Sequence, residues 1–398
     1  MNMVYEYIIS FAVAFIVAFF ATPIVRKFAV KLNAIDIPKE NRRIHSKPTA
    51  LMGGLAIACG FIISVLFVVV GSFLTKGQWL NSFRDMIGLF IGIAIIVSIG
   101  IIDDIKQLSP KTRLCFQFLA AIAVIFIANI RIEVITNPFS SVGVTKLSPY
   151  ISYPLTILWI VGITNALNLI DGLDGLAAGV ASISSMTLFF ISIITPIVGP
   201  YSSIITAALA GATLGFLPFN FHPAKIFMGS TGSYFLGFVL AVISIEGMFK
   251  SYTAISIAIP ILALGLPVVD TLFAILRRMK NGKPIMAPDR EHLHHRLMDM
   301  GLSQKKSVIV LYIASAALGL CAFVLIDMGA LSAIILLLLI SALFIIGLKY
   351  MANIANNTDD TDPELLKEAK SADNKRRLNV PKTHSKSARK NANSIIKY

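Results

Sequence analysis

Long apolar runs recur along most of the chain, and they limit its possible folds more than any other feature of the sequence. A helix needs about 20 predominantly apolar residues to cross the hydrocarbon of a membrane. Within that hydrocarbon only helices and closed barrels satisfy every backbone hydrogen-bonding group. Eleven runs meet or approach the required length, at 7–25, 50–71, 86–102, 114–130, 151–168, 176–195, 202–219, 232–249, 254–276, 307–326 and 330–349. The sequence therefore predicts an all-α, polytopic integral membrane protein with about eleven transmembrane helices.

The charge pattern agrees with this class and orients the chain. Charged residues make up 14% of the sequence, whereas a soluble domain carries about 25%. Two loops, after the first and ninth runs, hold clustered basic residues: Arg26, Lys27, Lys31, Lys39, Arg42, Arg43 and Lys47 in one, and Arg277, Arg278, Lys280, Lys283, Arg290, Arg296, Lys305 and Lys306 in the other. Under the positive-inside rule both loops are cytoplasmic, which predicts an N-terminus outside and a C-terminus inside. The net charge of +14 thus reflects membrane orientation, and no nucleic-acid partner is expected.

The two ends of the chain have features that the apolar runs alone do not explain. Arg26 and Lys27 follow the first apolar run, whereas a signal peptide carries its positive charges before the run, so a retained helix is predicted. Residues 1–350 are expected to form one transmembrane domain. Residues 351–398 are rich in Lys, Arg, Asn and Ser and cannot bury enough apolar area to fold alone. They are predicted to form a disordered, basic cytoplasmic tail or a short surface helix, which either rests on anionic lipid or has no role.

The stretch between the fifth and sixth runs is the strongest candidate for a functional site. It carries two amides and two carboxylates at steps of three residues: Asn165, Asn168, Asp171 and Asp174. Residues three apart are neighbours on a helix surface, so these side chains can converge on one site. Gly172 and Gly175 interrupt the helix and allow backbone to approach a ligand. Ionisable side chains at membrane depth are costly and mark a functional site by default.

A second acidic pair, Asp103 and Asp104, lies at the cytoplasmic end of the third run. Adjacent carboxylates in a low dielectric do not both stay ionised cheaply unless a cation neutralises them. Oxygen ligands of this kind suit Mg2+, which is usually bound by few carboxylates together with substrate phosphates. Together with Asp171 and Asp174, the pair predicts a magnesium site, with Mn2+ as an alternative ion.

Two glycine-containing segments at the cytoplasmic side are candidates for anion binding. The segment 41–54 supplies cations, a proline-fixed turn and the pair Gly53-Gly54, through which a helix end can approach an anion. The segment 219–237 contains Asn220 and opens the eighth run with Gly-Ser-Thr-Gly-Ser, which is expected to have free backbone amides and hydroxyls that suit a phosphate. The alternative for this segment is an ordinary capped start of a membrane helix.

The segment 288–297 concentrates histidine and arginine. Its candidate ligands are Arg290, His292, His294, His295 and Arg296. Three histidines make a zinc site conceivable, but no cysteine is near, and the surrounding cations fit an anion better than a metal. The lone carboxylate of Asp270, near the inner end of the ninth run, is either functional or paired with a basic neighbour.

Taken together, these segments resemble one family. The ordered motifs His45 to Gly54, Asp103-Asp104, Asn165 to Gly175, Asn220 to Gly232 and Pro288 to Leu297 are similar to those of the polyprenyl-phosphate N-acetylhexosamine-1-phosphate transferases, relatives of the phospho-N-acetylmuramoyl-pentapeptide transferases. The likeness covers about residues 1–350. Five motifs in the same order make it specific, although each alone would be weak.

The resemblance implies an enzyme of the bacterial plasma membrane whose active site faces the cytoplasm. Its expected reaction is the Mg2+-dependent transfer of N-acetylglucosamine 1-phosphate from UDP-N-acetylglucosamine to undecaprenyl phosphate, which releases UMP. This would be the first membrane step of a cell-envelope polymer such as teichoic acid or another polysaccharide. The expected partners are the UDP-sugar, the polyprenyl phosphate lipid and the membrane, with a homodimer as one possible assembly.

The resemblance also assigns roles to residues of this sequence. The expected catalytic residues are Asp103, Asp104, Asp171 and Asp174. The expected substrate-binding residues are His45, Lys47, Asn165, Asn168, Asn220, Arg290, His292, His294 and His295. The expected metal ligands are Asp103, Asp104, Asp171 and Ser230.

Ser230 is a departure from the family pattern, which reads Gly-Asp-Thr-Gly-Ser at this position. A serine hydroxyl can ligate a metal but brings no negative charge to neutralise the ion. The chain is then a variant carrying this change, a diverged member of the family, or a protein in which neighbours such as Asp171 and Asp103 hold the metal instead. Weaker catalysis is expected, up to complete inactivity.

Two readings from other classes stay open. One is a relative without catalytic activity that binds lipid phosphate or nucleotide, which the serine at position 230 favours. The other is a secondary transporter with broken helices. Transporter sites cluster near the bilayer midplane between repeated halves, whereas these carboxylates lie at cytoplasmic ends of the runs and no repeat is evident.

Overall fold

The computed structural model describes residues 3–37, 48–76, 83–137, 144–195, 199–246, 258–282, 284 and 292–327, with scattered positions between 332 and 346. The predicted eleventh run, 330–349, is described only at those scattered positions. The predicted tail, 351–398, lies outside the described residues, so its disorder stays a prediction.

The described part of the chain is built from helices. They are α1 (Met3–Lys31), α2 (Gly54–Lys76), α3 (Phe83–Lys106), α4 (Pro110–Ala123, continued by a wider turn Val124–Ala128), α5 (Pro149–Ile170), α6 (Leu176–Ile194), α7 (Gly199–Asn220), α8 (Gly229–Ser244), α9 (Ala258–Ala263), α10 (Gly265–Lys280), α11 (Leu293–Asp299) and α12 (Gln304–Asp327). Two short antiparallel pairs join β1 (Ile35–Asp36) to β2 (Thr49–Ala50) and β3 (Val134–Thr136) to β4 (Val144–Lys146).

Eight of these helices, α1 to α7 and α12, are long and apolar enough to cross a membrane. This confirms the prediction of an all-α, polytopic membrane protein. The count of eleven spans and the orientation of the termini stay predictions, because the eight belong to the described residues alone.

The predicted ninth run is not a continuous helix. Its described part is divided at Leu264 into α9 and α10. The reason is Pro267, which has no N–H to donate to the carbonyl of Ala263 four residues earlier. The freed Ala263 carbonyl accepts a hydrogen bond of 2.7 Å from the hydroxyl of Ser184 on α6. The described part of the predicted run 254–276 is therefore two consecutive helices, and its crossing of the membrane stays a prediction.

Helix α8 lies at the centre of the bundle. Every residue from Thr231 to Ser244 is buried, and α2, α3 and α5 pack around it. The outer helices instead expose large apolar side chains, such as Phe20 on α1 and Leu74 on α2. This is the pattern expected of a bundle whose outer surface meets lipid and whose central helix meets only protein.

The Gly53-Gly54 pair provides a close contact between protein segments. A methyl group at Gly54 would overlap the backbone of Gly232 on α8. The amides of Gly53 and Gly54 each donate a hydrogen bond of 2.9 Å, to the carbonyls of Phe227 and Met228 respectively. Because both amides are used in this way, the prediction that the pair approaches an anion is wrong, and its role is helix packing.

This packing predicts a difference between two glycines of α2. Replacing Gly54 with alanine should lower the free energy of unfolding by about 1–3 kcal/mol, the usual cost of overpacking. The control is Gly71→Ala, because a Cβ at Gly71 meets no atom within 4 Å. That change should leave stability unchanged or raise it by roughly 0.5–1 kcal/mol, since glycine is unfavourable inside a helix. Thermal unfolding in detergent tests this, and equal midpoints for the two variants would contradict it.

Candidate active site

A polar cavity of about 600 Å³ lies where the ends of α3, α5 and α7 meet the starts of α4, α8 and α12. Eight of the residues singled out in the sequence line it: Asp103, Asp104, Asn168, Asp171, Asp174, Asn220, Ser230 and His295. It is also lined by residues that the sequence analysis did not select, among them Asp36, Gln107, Arg113 and Gln304. The two acidic pairs, separated by almost seventy residues of chain, thus face one space.

Asp104 holds the start of α8. One carboxylate oxygen accepts a hydrogen bond of 2.7 Å from the amide of Ser230. The other accepts bonds from the amide of Thr231 at 3.2 Å and from its hydroxyl at 2.6 Å. The first amides of a helix have no partner within the helix, and a negative charge there is favourable. The prediction that these amides are free for a phosphate is therefore wrong for Ser230 and Thr231.

Asp103 is neutralised by an arginine. Its carboxylate accepts hydrogen bonds from Arg113 Nε at 2.9 Å, from the amide of Leu108 at 2.8 Å and from the hydroxyl of Tyr234 at 3.3 Å. The neutralising cation predicted for this pair of carboxylates is thus supplied, at Asp103, by the protein itself. A carboxylate has about four lone-pair sites that can accept hydrogen bonds. Asp103 and Asp104 each accept three hydrogen bonds from protein donors, so each has about one site left for a ligand.

Arg113 reaches this position through a tight turn. Helix α3 ends at Lys106, and Gln107 adopts a left-handed φ of 51°. Ser109 then caps α4, with a proline at the first helical position. Within the described residues the terminal nitrogens of Arg113 have no hydrogen bond, and its side chain is 32% exposed and lines the cavity. No sequence motif indicates this residue, because a lone arginine at the start of a predicted span resembles an ordinary flanking charge.

Asp171 is available for a ligand. It is the one member of the four carboxylates with no hydrogen bond to its side chain from a described residue, whereas Asp174 accepts bonds from His222 Nδ1 at 2.9 Å and from the amide of Ala224 at 3.0 Å. Burial raises the pKa of Asp171 to about 7, and the charges of Asp104 and Asp174 add to this rise. An uncompensated carboxyl of this kind is stabilised by any cation that enters the cavity.

The amides predicted to bind substrate divide into two groups. Asn168 donates to Ser233 Oγ at 2.9 Å and lines the cavity. Asn220 donates to the carbonyl of Ile226, and its own carbonyl oxygen is buried with no hydrogen-bond partner in the described structure. Asn165 instead donates to Gln117 on α4 at 2.6 Å and is not among the residues that line the cavity. A substrate contact at Asn165 therefore has no geometric support.

The three histidines also occupy different places. His292 donates from Nδ1 to Asp270 at 2.8 Å, and both side chains are buried. His294 is buried beside Gly172, and burial together with the charge of His295 lowers its pKa to about 3. Only His295 lines the cavity. Asp270, whose role the sequence left open, is thus paired with a histidine and not with the neighbouring arginine at 277.

A metal site must be assembled from few protein ligands. The described residues contain no group of three His, Cys, Asp or Glu side chains arranged to hold a metal, which argues against the zinc alternative for their histidines. Mg2+ is commonly bound by one or two carboxylates plus substrate phosphates. Asp171, with Ser230 and Asn220 in the same cavity wall, fits that pattern. The site would then need phosphate oxygens to complete the ion's shell.

Three predicted substrate-binding residues, His45, Lys47 and Arg290, lie outside the described residues. Their roles therefore stay predictions.

Comparison with known proteins connects this cavity to a family. Residues 86–248, which include both acidic pairs and Ser230, match the profile described as glycosyl transferase family 4. The chain is 42% identical, over 320 residues, to a probable undecaprenyl-phosphate N-acetylglucosaminyl 1-phosphate transferase of Bacillus subtilis (strain 168), with 80% of this chain and 84% of the relative covered.

Two further relatives extend the comparison. A decaprenyl-phosphate N-acetylglucosaminephosphotransferase of Mycobacterium tuberculosis (strain CDC 1551 / Oshkosh) is 34% identical, over 88% of this chain and 90% of the relative. A phospho-N-acetylmuramoyl-pentapeptide-transferase of Wolbachia sp. subsp. Brugia malayi is 30% identical, over 75% and 92%. The chain therefore belongs to glycosyl transferase family 4, the family of the polyprenyl-phosphate N-acetylhexosamine-1-phosphate transferases.

Proposed function

We propose that the protein transfers N-acetylglucosamine 1-phosphate from UDP-N-acetylglucosamine to undecaprenyl phosphate. The products are undecaprenyl-diphospho-N-acetylglucosamine and UMP. The observation that carries the proposal is the convergence of Asp103, Asp104, Asp171 and Asp174 on one polar cavity at the ends of membrane helices. The names of the Bacillus and Mycobacterium relatives, which specify N-acetylglucosamine and a polyprenyl phosphate, support the same sugar and acceptor class.

In this proposal the reaction is an in-line displacement at phosphorus. An oxygen of the lipid phosphate attacks the β-phosphorus of the UDP-sugar, and the bond from that phosphorus to the bridging oxygen breaks. UMP leaves with the bridging oxygen and its electron pair. Phosphoryl transfer of this type depends mainly on positioning and charge stabilisation. The cavity is suited to both, because it holds the guanidinium of Arg113 and the carboxylate of Asp171, which accepts no hydrogen bond from a described residue.

Different residues of the cavity would bind phosphate, hold the metal ion and contact the sugar. The terminal nitrogens of Arg113 make no hydrogen bond to a described residue and are suited to phosphate oxygens, since a guanidinium presents its donors in a planar fork. The carboxylate of Asp103 keeps that guanidinium in place through Nε. Asp171, Ser230 and Asn220 are the residues that would hold Mg2+, whose chemistry is to neutralise charge on the diphosphate and the leaving UMP. His295 faces the same space from α11 and is suited to the sugar or the diphosphate.

The same proposal places the protein in a bacterial plasma membrane with this cavity at the cytoplasmic face. The support is the positive-inside rule applied to the basic loops of the sequence. The polyprenyl chain then lies among membrane helices, and its phosphate meets the nucleotide at the cavity. The product is used for a cell-envelope polymer, and a homodimer is the assembly to test.

One observation favours a second candidate, a family member that binds these ligands without transferring the sugar phosphate. Ser230 lines the cavity where the family pattern has an aspartate, so one anionic ligand is missing beside Asp171. A transporter is less well supported, because the carboxylates lie at helix ends and not at the middle of the spans.

The first test is the reaction itself. Purified protein with UDP-N-acetylglucosamine, undecaprenyl phosphate and Mg2+ should release UMP. The variant Asp171→Asn should reduce the rate by about 100-fold or more, because it removes the unpaired charge without changing the shape of the side chain. Glu133→Gln, which alters an ion pair with Arg131 away from the cavity, serves as the control and should keep the wild-type rate. Equal rates for Asp171→Asn and wild type would contradict the assignment.

The second test concerns Ser230. Ser230→Asp should raise turnover by about tenfold or more, because a carboxylate at this position adds a charged metal ligand. Ser230→Asn has nearly the same shape as the aspartate but no charge, so it should give no gain. Product formed from a radiolabelled UDP-sugar measures both variants. If the aspartate and asparagine variants behave alike, the missing charge at position 230 is not what limits this protein.

The third test uses the raised pKa of Asp171. With a pKa of about 7, this carboxyl is mostly protonated below neutral pH and mostly ionised above it. Metal ligands must be deprotonated, so the Mg2+ concentration for half-maximal activity should fall as pH rises. The change should approach tenfold per pH unit below about pH 7 and level off above it. In Ser230→Asp the dependence should persist, whereas in Asp171→Asn it should become shallower and leave the part that comes from ionisation of the lipid phosphate. An equal pH dependence in Asp171→Asn and the wild type would contradict the role of Asp171.

A further inference from the structure

Asp270 makes two hydrogen bonds that fix the start of α11. Its Oδ2 accepts from His292 Nδ1 at 2.8 Å, and its Oδ1 accepts from the amide of Leu293 at 2.9 Å. The side chains of Asp270 and His292 are each only 5% exposed. A buried carboxylate with two donors in this geometry holds its partners firmly, because breaking either bond leaves a buried polar group unsatisfied.

A row of imidazole rings leads from this pair to the cavity. The rings of His292 and His294 are parallel to within 4°, with centroids 5.9 Å apart. The rings of His294 and His295 follow at 4.2 Å. Asp270 is not among the residues that line the cavity, whereas His295 is. His295, which alone of these three histidines lines the cavity, is therefore connected through ring contacts to a buried carboxylate.

The row of histidine rings also packs against the loop that carries Asp171 and Asp174. A Cβ at Gly172 would lie 2.5 Å from His294 Nε2, so no side chain other than hydrogen fits between the ring and this loop. Gly172 directly follows Asp171 in the chain. The placement of α11 therefore affects the position of Asp171 as well as that of His295.

We propose that Asp270 is a positioning residue, which through His292 and the first amide of α11 keeps His294 against Gly172 and His295 in the cavity. The nucleotide-sugar affinity then depends on a carboxylate that touches no substrate. The nature of that ligand rests on the proposed function. The positioning itself does not, because it concerns contacts within the protein.

The kinetic test is Asp270→Asn, which retains the shape of the side chain but presents only one acceptor oxygen to the two donors. The KM for UDP-N-acetylglucosamine should rise by about tenfold, the effect expected when a hydrogen bond to a charged group is lost. The KM for undecaprenyl phosphate should change by less than about twofold, since that substrate is expected to use Arg113 and the membrane side of the cavity. Glu133→Gln is the matched control, because it neutralises a paired carboxylate far from the cavity.

A second variant guards against a folding defect in Asp270→Asn. His292→Ala removes the other partner, and it should raise the KM for the UDP-sugar by a similar factor. Because the two residues act through one contact, the double variant should be no worse than the more severe single variant. Independent, multiplying effects would overturn the proposal. Equal changes in both KM values, together with a lowered thermal midpoint, would also overturn it, because they would indicate a general structural role.

Hydrogen exchange gives a readout that does not need activity. In Asp270→Asn, amide exchange in a peptide covering residues 292–299 should accelerate, while exchange in α8 stays slow. If the wild-type protein transfers no sugar phosphate, the proposed function fails, and the positioning proposal is judged on this exchange alone. Unchanged exchange in that peptide would overturn it in either case. In an active enzyme, faster exchange with an unchanged KM for the UDP-sugar would overturn it as well.

Discussion

The three hydrogen bonds between Asp104 and the start of α8 are the interaction on which the rest of the site depends. They join a residue in the last turn of α3 to the first turn of the central helix α8. From Thr231 onward every residue of α8 is buried, so the amide of Thr231 depends on a protein partner. A carboxylate is the natural partner for those amides, since it meets both their hydrogen-bonding need and the positive end of the helix dipole. Ser230 and Asn168 are placed relative to this junction.

The four acidic residues, which look alike in the sequence, have different environments in the fold. Asp104 bonds to backbone amides, Asp103 to an arginine, and Asp174 to a histidine and an amide of the loop after α7. Asp171 alone among them has no donor in the described structure. Three carboxylates thus bind protein groups, and burial, together with the charges of Asp104 and Asp174, raises the pKa of Asp171. The cavity becomes a place where a cation is favoured although few ligands are free to surround it.

Much of the fold could be predicted from the sequence because apolar length is a direct consequence of the bilayer's thickness. The predicted runs correspond to the helices wherever they are described, except at the ninth run. There the proline at 267 acts on a carbonyl four residues earlier, a local effect that a count of apolar residues ignores. The glycine pair at 53 and 54 was misjudged for a related reason. A small residue permits close approach, but the sequence does not say whether the approaching group is a ligand or another helix.

The candidate site could be predicted in its carboxylates but not in their partners. The spacing of the acidic residues, and the free-energy cost of ionisable side chains at membrane depth, indicated a site at Asp103, Asp104, Asp171 and Asp174. All four line the cavity. Arg113 was missed because its significance comes from a turn that brings α4 back onto α3. Asn165 shares the three-residue step of its neighbours, yet its side chain turns to Gln117, since steps of three drift around a helix of 3.6 residues per turn.

The break between α9 and α10 limits which substitutions this sequence can accept during evolution. The carbonyl freed by the proline at 267 is satisfied by the hydroxyl of Ser184, on a different helix. Loss of that hydroxyl alone would strand an acceptor in an apolar interior. A substitution at 184 is therefore compatible with the fold mainly when position 267 regains an N–H. We expect the two positions, distant in the chain, to covary among relatives and so to reveal the bend in an alignment without any coordinates.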